Sequence, residues 1–374
     1  MRTSAILMSV LLMMSVGFRS PVVPAANGQS RDTTQQVPSG SGYKVRVDVN
    51  TVFLNVSVRD RYNRSIAQLQ KEDFLVYEDG VPQEVQQLVS EEAPFNTLLL
   101  LDNSGSTRPY LDLIKNAAID FTRRMKPDDR IAVVAFNSLV DLMQDFTNDR
   151  QNLQLAIEKI ESIGGTALYD SLLICINRYM RGVGGRNAIV VFTDGIDNQL
   201  EGRNSEGSHT PFDTLYRRIQ EIEPIIYTIF LNTGNAPHAP PMESPERRPR
   251  GLGWPLQWPQ PQKRPWPLPQ EGPWPRRQEP PSERPTQSSI YETARQHLYM
   301  IAEQTGGRMY QLTSVQNLSS AYAEIADDLA ARYQIAYNPT NTARDGKWRR
   351  IRVQVKGHPE AAVRTRKGYY ATEW

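Results

Sequence analysis

Apolar and polar positions alternate in the first part of the chain, at Val45, Val47 and Val49 and then at Phe53, Leu54, Val56 and Val58. Period-two alternation predicts half-buried strands, because successive side chains point to opposite faces. Asp73 to Val81 adds a strand and a tight turn at Asp79-Gly80, where glycine permits positive φ, and Val85 to Val89 reads as the return strand. Residues 43–94 thus form a β segment with too few strands to close a core alone.

From Phe95 the period switches to strands alternating with helices. Leu98 to Leu101 is wholly apolar, which suits a strand buried on both faces of a parallel sheet. Tyr110, Leu113, Ile114, Ala117, Ala118, Phe121 and Met125 recur at helical spacing until Pro127. A strand over 130–136 and an edge strand over 139–146 follow, and Asn148 or Asp149 caps a helix with Leu153, Ala156, Ile157 and Ile160 on one face. Thr166 precedes a helix bearing Leu168, Leu172, Leu173 and Ile176, and 188–192 is a second buried strand. A polar loop to Ser208, a helix over 212–222 and a strand over 224–231 complete this run.

The pattern then stops. Residues 235–288 are dominated by proline, glutamine and arginine, with Trp254, Trp258, Trp266 and Trp274 each preceding a proline. That composition forms no packed core and predicts a disordered insertion with polyproline stretches. A helix over 291–304, a strand over 308–312 and a helix over 318–331 resume the alternation, so the insertion interrupts a single domain, residues 95–331. Its fold class is α/β, a doubly wound, mostly parallel sheet. Strand 224–231 should run parallel to the strand ending at Asp102, which brings the insertion out on the same sheet edge as that residue.

Residues 332–374 alternate again, at Tyr333, Ile335 and Tyr337, then Ile351, Val353 and Val355, then over a last strand from Val363 to Tyr370. This tail carries ten Lys/Arg against three Asp/Glu, whereas residues 43–95 carry six against nine. Each β segment is too small to stand alone, and both flank the α/β domain. They are expected to join into one β-sandwich-like domain.

Ahead of these elements, Arg2, the apolar run from Ala5 to Phe18 and the small residues at Pro24-Ala25-Ala26 read as a cleaved secretory signal peptide over residues 1–26. Residues 27–42, rich in Ser, Gln, Thr and Gly, are a flexible lead-in. No later stretch reaches the roughly 18 apolar residues of a spanning helix, so the expectation is a secreted or periplasmic protein without stable membrane insertion. Removing residues 1–26 takes away Arg2 and Arg19 and no acid, which brings the formal charge from +2 to zero and argues against a nucleic-acid binder. The single cysteine, Cys175, lies in an apolar helix and reads as core, so there is neither a disulfide framework nor a Cys/His metal cluster.

Candidate chemistry sits where buried strands end. Leu98 to Leu101 runs into Asp102-Asn103-Ser104-Gly105-Ser106, and ligands of open parallel sheets bind at the carboxyl ends of strands. Asp102, Ser104 and Ser106 offer oxygen on a tight loop, which suits a hard divalent cation. Two further loops can complete such a site: Gly164-Gly165-Thr166, and Thr193-Asp194-Gly195 at the end of the second buried strand.

DNSGS, GGT and TDG in this order resemble the metal-ion-dependent adhesion site of von Willebrand factor A domains. The resemblance implies that Ser104, Ser106 and Thr166 contact the metal directly, that Asp102 and Asp194 bind mainly through water, and that a carboxylate of a protein partner fills the open position. Few carboxylates in the set favour Mg2+ or Mn2+ over Ca2+. Glu78-Asp79-Gly80 before the domain and Arg366-Lys367-Gly368-Tyr369-Tyr370 after it resemble the bacterial exported VWFA-related domain family, which extends the likeness over nearly the whole mature chain.

The reading that follows is a metal-dependent protein-binding module. One alternative is a structural scaffold of the cell envelope whose metal only stabilises loops. Another is a hydrolase, but Ser104 lacks a G-x-S-x-G elbow and none of His209, His238, His297 and His358 lies at a strand end resembling a triad position. The expectation is therefore no catalytic residue and no enzyme.

Overall fold

The computed structural model describes residues 51–89, 93–200, 202, 206–232 and 286–371. The expected signal peptide, the lead-in, the alternation at residues 45–49 and residues 235–285 of the expected insertion lie outside them. In chain order the elements are β1 (Val52–Arg59), β2 (Phe74–Glu78), β3 (Val81–Gln83), β4 (Val85–Val89), β5 (Phe95–Asp102), α1 (Leu111–Arg124), β6 (Arg130–Phe136), β7 (Val140–Thr147), α2 (Arg150–Glu158) and α3 (Leu168–Ile174). There follow β8 (Arg186–Thr193), α4 (Phe212–Ile219), β9 (Ile225–Leu231), α5 (Gln287–Thr305), β10 (Met309–Leu312), α6 (Leu318–Ala330), β11 (Tyr333–Tyr337), β12 (Trp348–Val355), β13 (Ala362–Arg364) and β14 (Gly368–Tyr370).

A six-stranded sheet in the order β10-β9-β8-β5-β6-β7 forms the middle layer, parallel except for the antiparallel edge strand β7. Every residue of β5, β8 and β9 is buried. The four leucines of β5 serve two cores, since alternate side chains face opposite ways. Leu99 and Leu101 pack with Ile114 and Phe121 of α1 and Ile325 of α6. Leu98 and Leu100 pack with Leu172 of α3, Leu215 of α4 and Leu298 of α5. Burial of each such side chain contributes about 1.5–3 kcal/mol.

The helix boundaries follow local chemistry. Asp149, rather than Asn148, caps α2 by accepting the amides of Gln151 and Asn152. Gly306, at φ 80°, ends α5 in the left-handed conformation. That helix begins earlier than its apolar spacing predicts: Thr286 caps it by accepting from the Ser289 amide, so Gln287 and Ser288 belong to the helix and not to the insertion. Among the described residues no helix is long and apolar enough to cross a membrane.

Two four-stranded sheets, β13-β1-β11-β4 and β14-β12-β2-β3, complete the fold, and each draws strands from both flanking segments. Leu54 on β1 lies opposite Ile335 on β11, and Val76 on β2 opposite Val353 on β12. Leu54, Val56, Phe74, Val76, Ile335, Val353 and their neighbours share one core, which makes the pair a sandwich.

Two strand readings need correction. The return strand after Asp79-Gly80 is β3, which pairs with β2, whereas β4 pairs with β11 in the other sheet. The switch occurs at Glu84, between the two strands. The expected strand from Val363 to Tyr370 is also two pieces, with β13 on β1 and β14 on β12. Between them the buried Arg366 donates through Nε to the Gly368 carbonyl at 3.0 Å and through Nη2 to the Gln220 carbonyl at 3.1 Å. Those bonds hold the crossing where an apolar pattern alone suggests continuity.

Candidate metal centre

Asp102 ends β5 in the middle of the sheet, fully buried. One carboxylate oxygen accepts the Ser104 amide at 2.9 Å and the other accepts the Thr193 hydroxyl at 2.7 Å. Burial pushes the carboxyl up from its ordinary range, and hydrogen bonds from Ser104, Thr193 and the Asp194 amide pull it back only in part. Among the described residues no Lys or Arg pairs with it.

Three loops meet here, and hydrogen bonds tie each to the other two. The first and second are joined by Gly105 N to Gly164 O at 3.0 Å, Ile163 N to Asn103 O at 2.9 Å and Ser162 Oγ to Ser104 O at 2.7 Å. The second and third are joined by Asn198 N to Thr166 O at 3.0 Å. The third returns to the first through Thr193 and Asp102. The five residues singled out from sequence, Asp102, Ser104, Ser106, Thr166 and Asp194, all lie on these three loops. Ser106 is exposed and the other four are buried.

Glycine is required at two of these positions. Gly164 has φ 71°, a conformation that side chains resist. A Cβ on Gly165 would come within 2.5 Å of Asn198 Nδ2 and 2.8 Å of Glu206 Cβ. Together they bring Thr166 up against the third loop.

The donor set fits a small hard cation. The hydroxyls of Ser104 and Ser106 are hydrogen-bonded to each other, with their oxygens 3.0 Å apart. Adjacent oxygens on an octahedral ion with bonds of 2.0–2.1 Å are about 3 Å apart, so the pair is spaced as two neighbouring ligands of one ion. Asp102 already accepts protein donors at both oxygens, which suits a charge that acts on the cation through water. Among the described residues there is no group of three or more His, Cys, Asp or Glu that could hold a metal.

Sequence reasoning missed a fourth contributor. Asn137 follows β6, whose Phe136 pairs with Asp102. Its side chain donates to Asn103 Oδ1 at 3.3 Å and accepts the Leu139 amide at 2.9 Å, and its carbonyl accepts the Ala167 amide at 2.8 Å. It therefore braces the first loop against the residue after Thr166. Its position at the end of a buried strand, on the same sheet edge as Asp102, was the available signal.

A mostly parallel sheet with helices on both faces carries an oxygen-rich, three-loop centre at the carboxyl ends of its strands. Residues 97–196 match the model of the von Willebrand factor type A domain family. An uncharacterized protein of Synechocystis is 34% identical over 106 residues, which are 27% of this chain and 25% of that protein. The chain thus matches about a quarter of the length of that curated relative.

Solved structures are similar at low identity. The conserved hypothetical protein BatB of Bacteroides thetaiotaomicron is 14% identical, with 63% of this chain and 98% of that chain covered and a TM-score of 0.39. The vWF domain of the pilus tip protein Mfa5 of Porphyromonas gingivalis is 12% identical, with 63% and 94% covered and a TM-score of 0.40. Proximal thread matrix protein 1 of the mussel byssus, in a structure with a zinc-occupied MIDAS motif, is 15% identical, with 68% and 50% covered and a TM-score of 0.42.

Proposed function

We propose that this protein is an exported binding module that holds Mg2+ or Mn2+ on Ser104, Ser106 and Thr166, with Asp102 and Asp194 acting through water. The cation captures a carboxylate of a protein partner. The observation that carries this reading is the 3.0 Å spacing of the Ser104 and Ser106 hydroxyls beside the buried Asp102. Uncharged hydroxyl ligands leave the cation electron-poor, and it then draws an external anion.

Protein hydrogen bonds cross-tie the three loops. That favours a metal that serves a ligand over one that serves only to hold the loops, as a scaffold would need. Two described histidines also have other roles. His297 stacks on Phe212 with ring centroids 3.6 Å apart, and the exposed His209 lies 3.5 Å from Asp170. A binding module, rather than an enzyme, is proposed.

The test is capture of partner proteins from native extracts by the full chain, in Mg2+ and in chelator, with Ser104→Ala as control. Partners retained only in Mg2+ and lost in the variant support the reading. An identical set of partners in chelator contradicts it.

A further inference from the structure

The two large aliphatic side chains most exposed among the described residues are Leu139, at 69%, and Ile163, at 59%. Isolated surface aliphatics need no explanation, but these two are not scattered. Ile163 immediately precedes Gly164-Gly165-Thr166, and its amide is bonded to the Asn103 carbonyl inside the first metal loop at 2.9 Å. Leu139 closes the turn from β6 into β7, with its amide on Asn137 Oδ1 at 2.9 Å and its carbonyl on the Asn137 amide at 3.0 Å.

These two turns adjoin. A Cβ on Gly164 would stand 3.8 Å from both Asn137 Oδ1 and Ser138 Oγ. Leu139 and Ile163 therefore belong to adjoining turns beside the metal loops, on the sheet edge that holds Asp102. Arg108, exposed two residues beyond Ser106, adds a cation to the same rim, with Nη2 3.4 Å from the Ser162 carbonyl.

We infer that this rim reads the residues next to the captured carboxylate. The occupant is an extended protein segment with one Asp or Glu flanked by aliphatic side chains. Charge complementarity sets the centre of that segment: a divalent cation and Arg108 both select an anion. The exposed Leu139 and Ile163 set its neighbours, because covering them with polar side chains forfeits the burial of two large apolar groups. The inference rests on the metal-binding reading above and deepens it by assigning the chemical class of the partner segment.

The test uses the full chain and labelled peptides of about a dozen residues carrying one central Asp. The Asp is flanked on both sides by Leu in one peptide and by Ser in the other. Calorimetry with Mg2+ alone is run in parallel. The Leu-flanked peptide should bind at least about tenfold more tightly, in Mg2+ only, as burial of one aliphatic side chain implies. The double variant Leu139→Ser, Ile163→Ser should erase that preference while leaving Mg2+ affinity and Tm unchanged.

Equal affinity for the two peptides overturns the inference. So does a preference that survives the double variant, or no peptide binding by a chain that binds Mg2+. Loss of self-association or vesicle binding in the variant, with peptide binding intact, overturns it as well. A chain that shows no heat with Mg2+ alone fails in a separate readout and overturns the metal-binding reading itself.

Discussion

Asp328, on the last helix of the α/β layer, accepts a 2.7 Å hydrogen bond from Nη2 of Arg59, on the first strand of the sandwich. The same carboxylate holds the fully buried Arg332 at 2.8 Å and accepts the Tyr227 hydroxyl at 2.5 Å. One acid thus joins helix α6, strand β9 and the sandwich. Burial pushes its carboxyl up, but Arg332, Tyr227 and Arg59 outweigh that and hold it well below the usual carboxylate range.

Asp328→Ala should therefore destabilise the chain by about 3–5 kcal/mol, because it leaves the buried Arg332 and the half-buried Arg59 without their acid. The pH dependence follows from the lowered value. The unfolded chain takes up this proton first, so the stability is present above the ordinary carboxylate value of 3.8 and is lost as pH falls below it. Urea unfolding across that range should show a steep acid decline in the parent and a shallower one in Asp328→Asn.

A second titration belongs to His297, whose Nδ1 lies 2.7 Å from the Tyr169 hydroxyl. Burial brings its pKa down from 6.5 to about 4, with partial opposition from Asp213. Protonation thus favours the unfolded chain, and stability is lost as pH falls from 6.5 toward about 4. The Tm difference between pH 7 and pH 5 should be smaller in His297→Gln than in the parent.

Thr193→Val should cost about 1–3 kcal/mol, the penalty for stranding a buried polar group. The Thr193 hydroxyl both donates to Asp102 and accepts the Gly195 amide at 2.8 Å, so one substitution unties the third loop from the first. Denaturant midpoints report the stability loss, and Mg2+ calorimetry should report weaker binding in the same variant.

Gly165→Ala separates the site from the fold. The nearest atoms its Cβ would meet belong to Asn198 and Glu206, both on the loop that follows β8. Tm should shift by only a few degrees, while Mg2+ affinity falls about tenfold as Thr166 is displaced, on the order of the losses seen when the supports of a metal site are disturbed.

Much of this was legible in the chain. Leu98 to Leu101 announces a strand buried on both faces, and the residues that end it announce oxygen chemistry, because both signals are local. The sheet switch at Glu84 and the crossing at Arg366 were not legible. Each interrupts an apolar alternation that continues in sequence, and only pairing partners far along the chain reveal it. Asp328 escaped notice for a related reason: on a helix it reads as a solvated charge until Arg332, Arg59 and Tyr227 are seen around it. Asn137 belongs to no motif, and its role arises from a turn that brings it against two loops.

On the proposed reading, Ser104 and Ser106 are adjacent ligands of one divalent cation. Calorimetric titration of Mg2+ into the full chain, beside the Ser104→Ala, Ser106→Ala double variant, tests it most directly. One ion per chain is expected in the parent, and no measurable heat in a variant whose Tm is within a few degrees of the parent. Mg2+ binding of equal affinity in both proteins would contradict it.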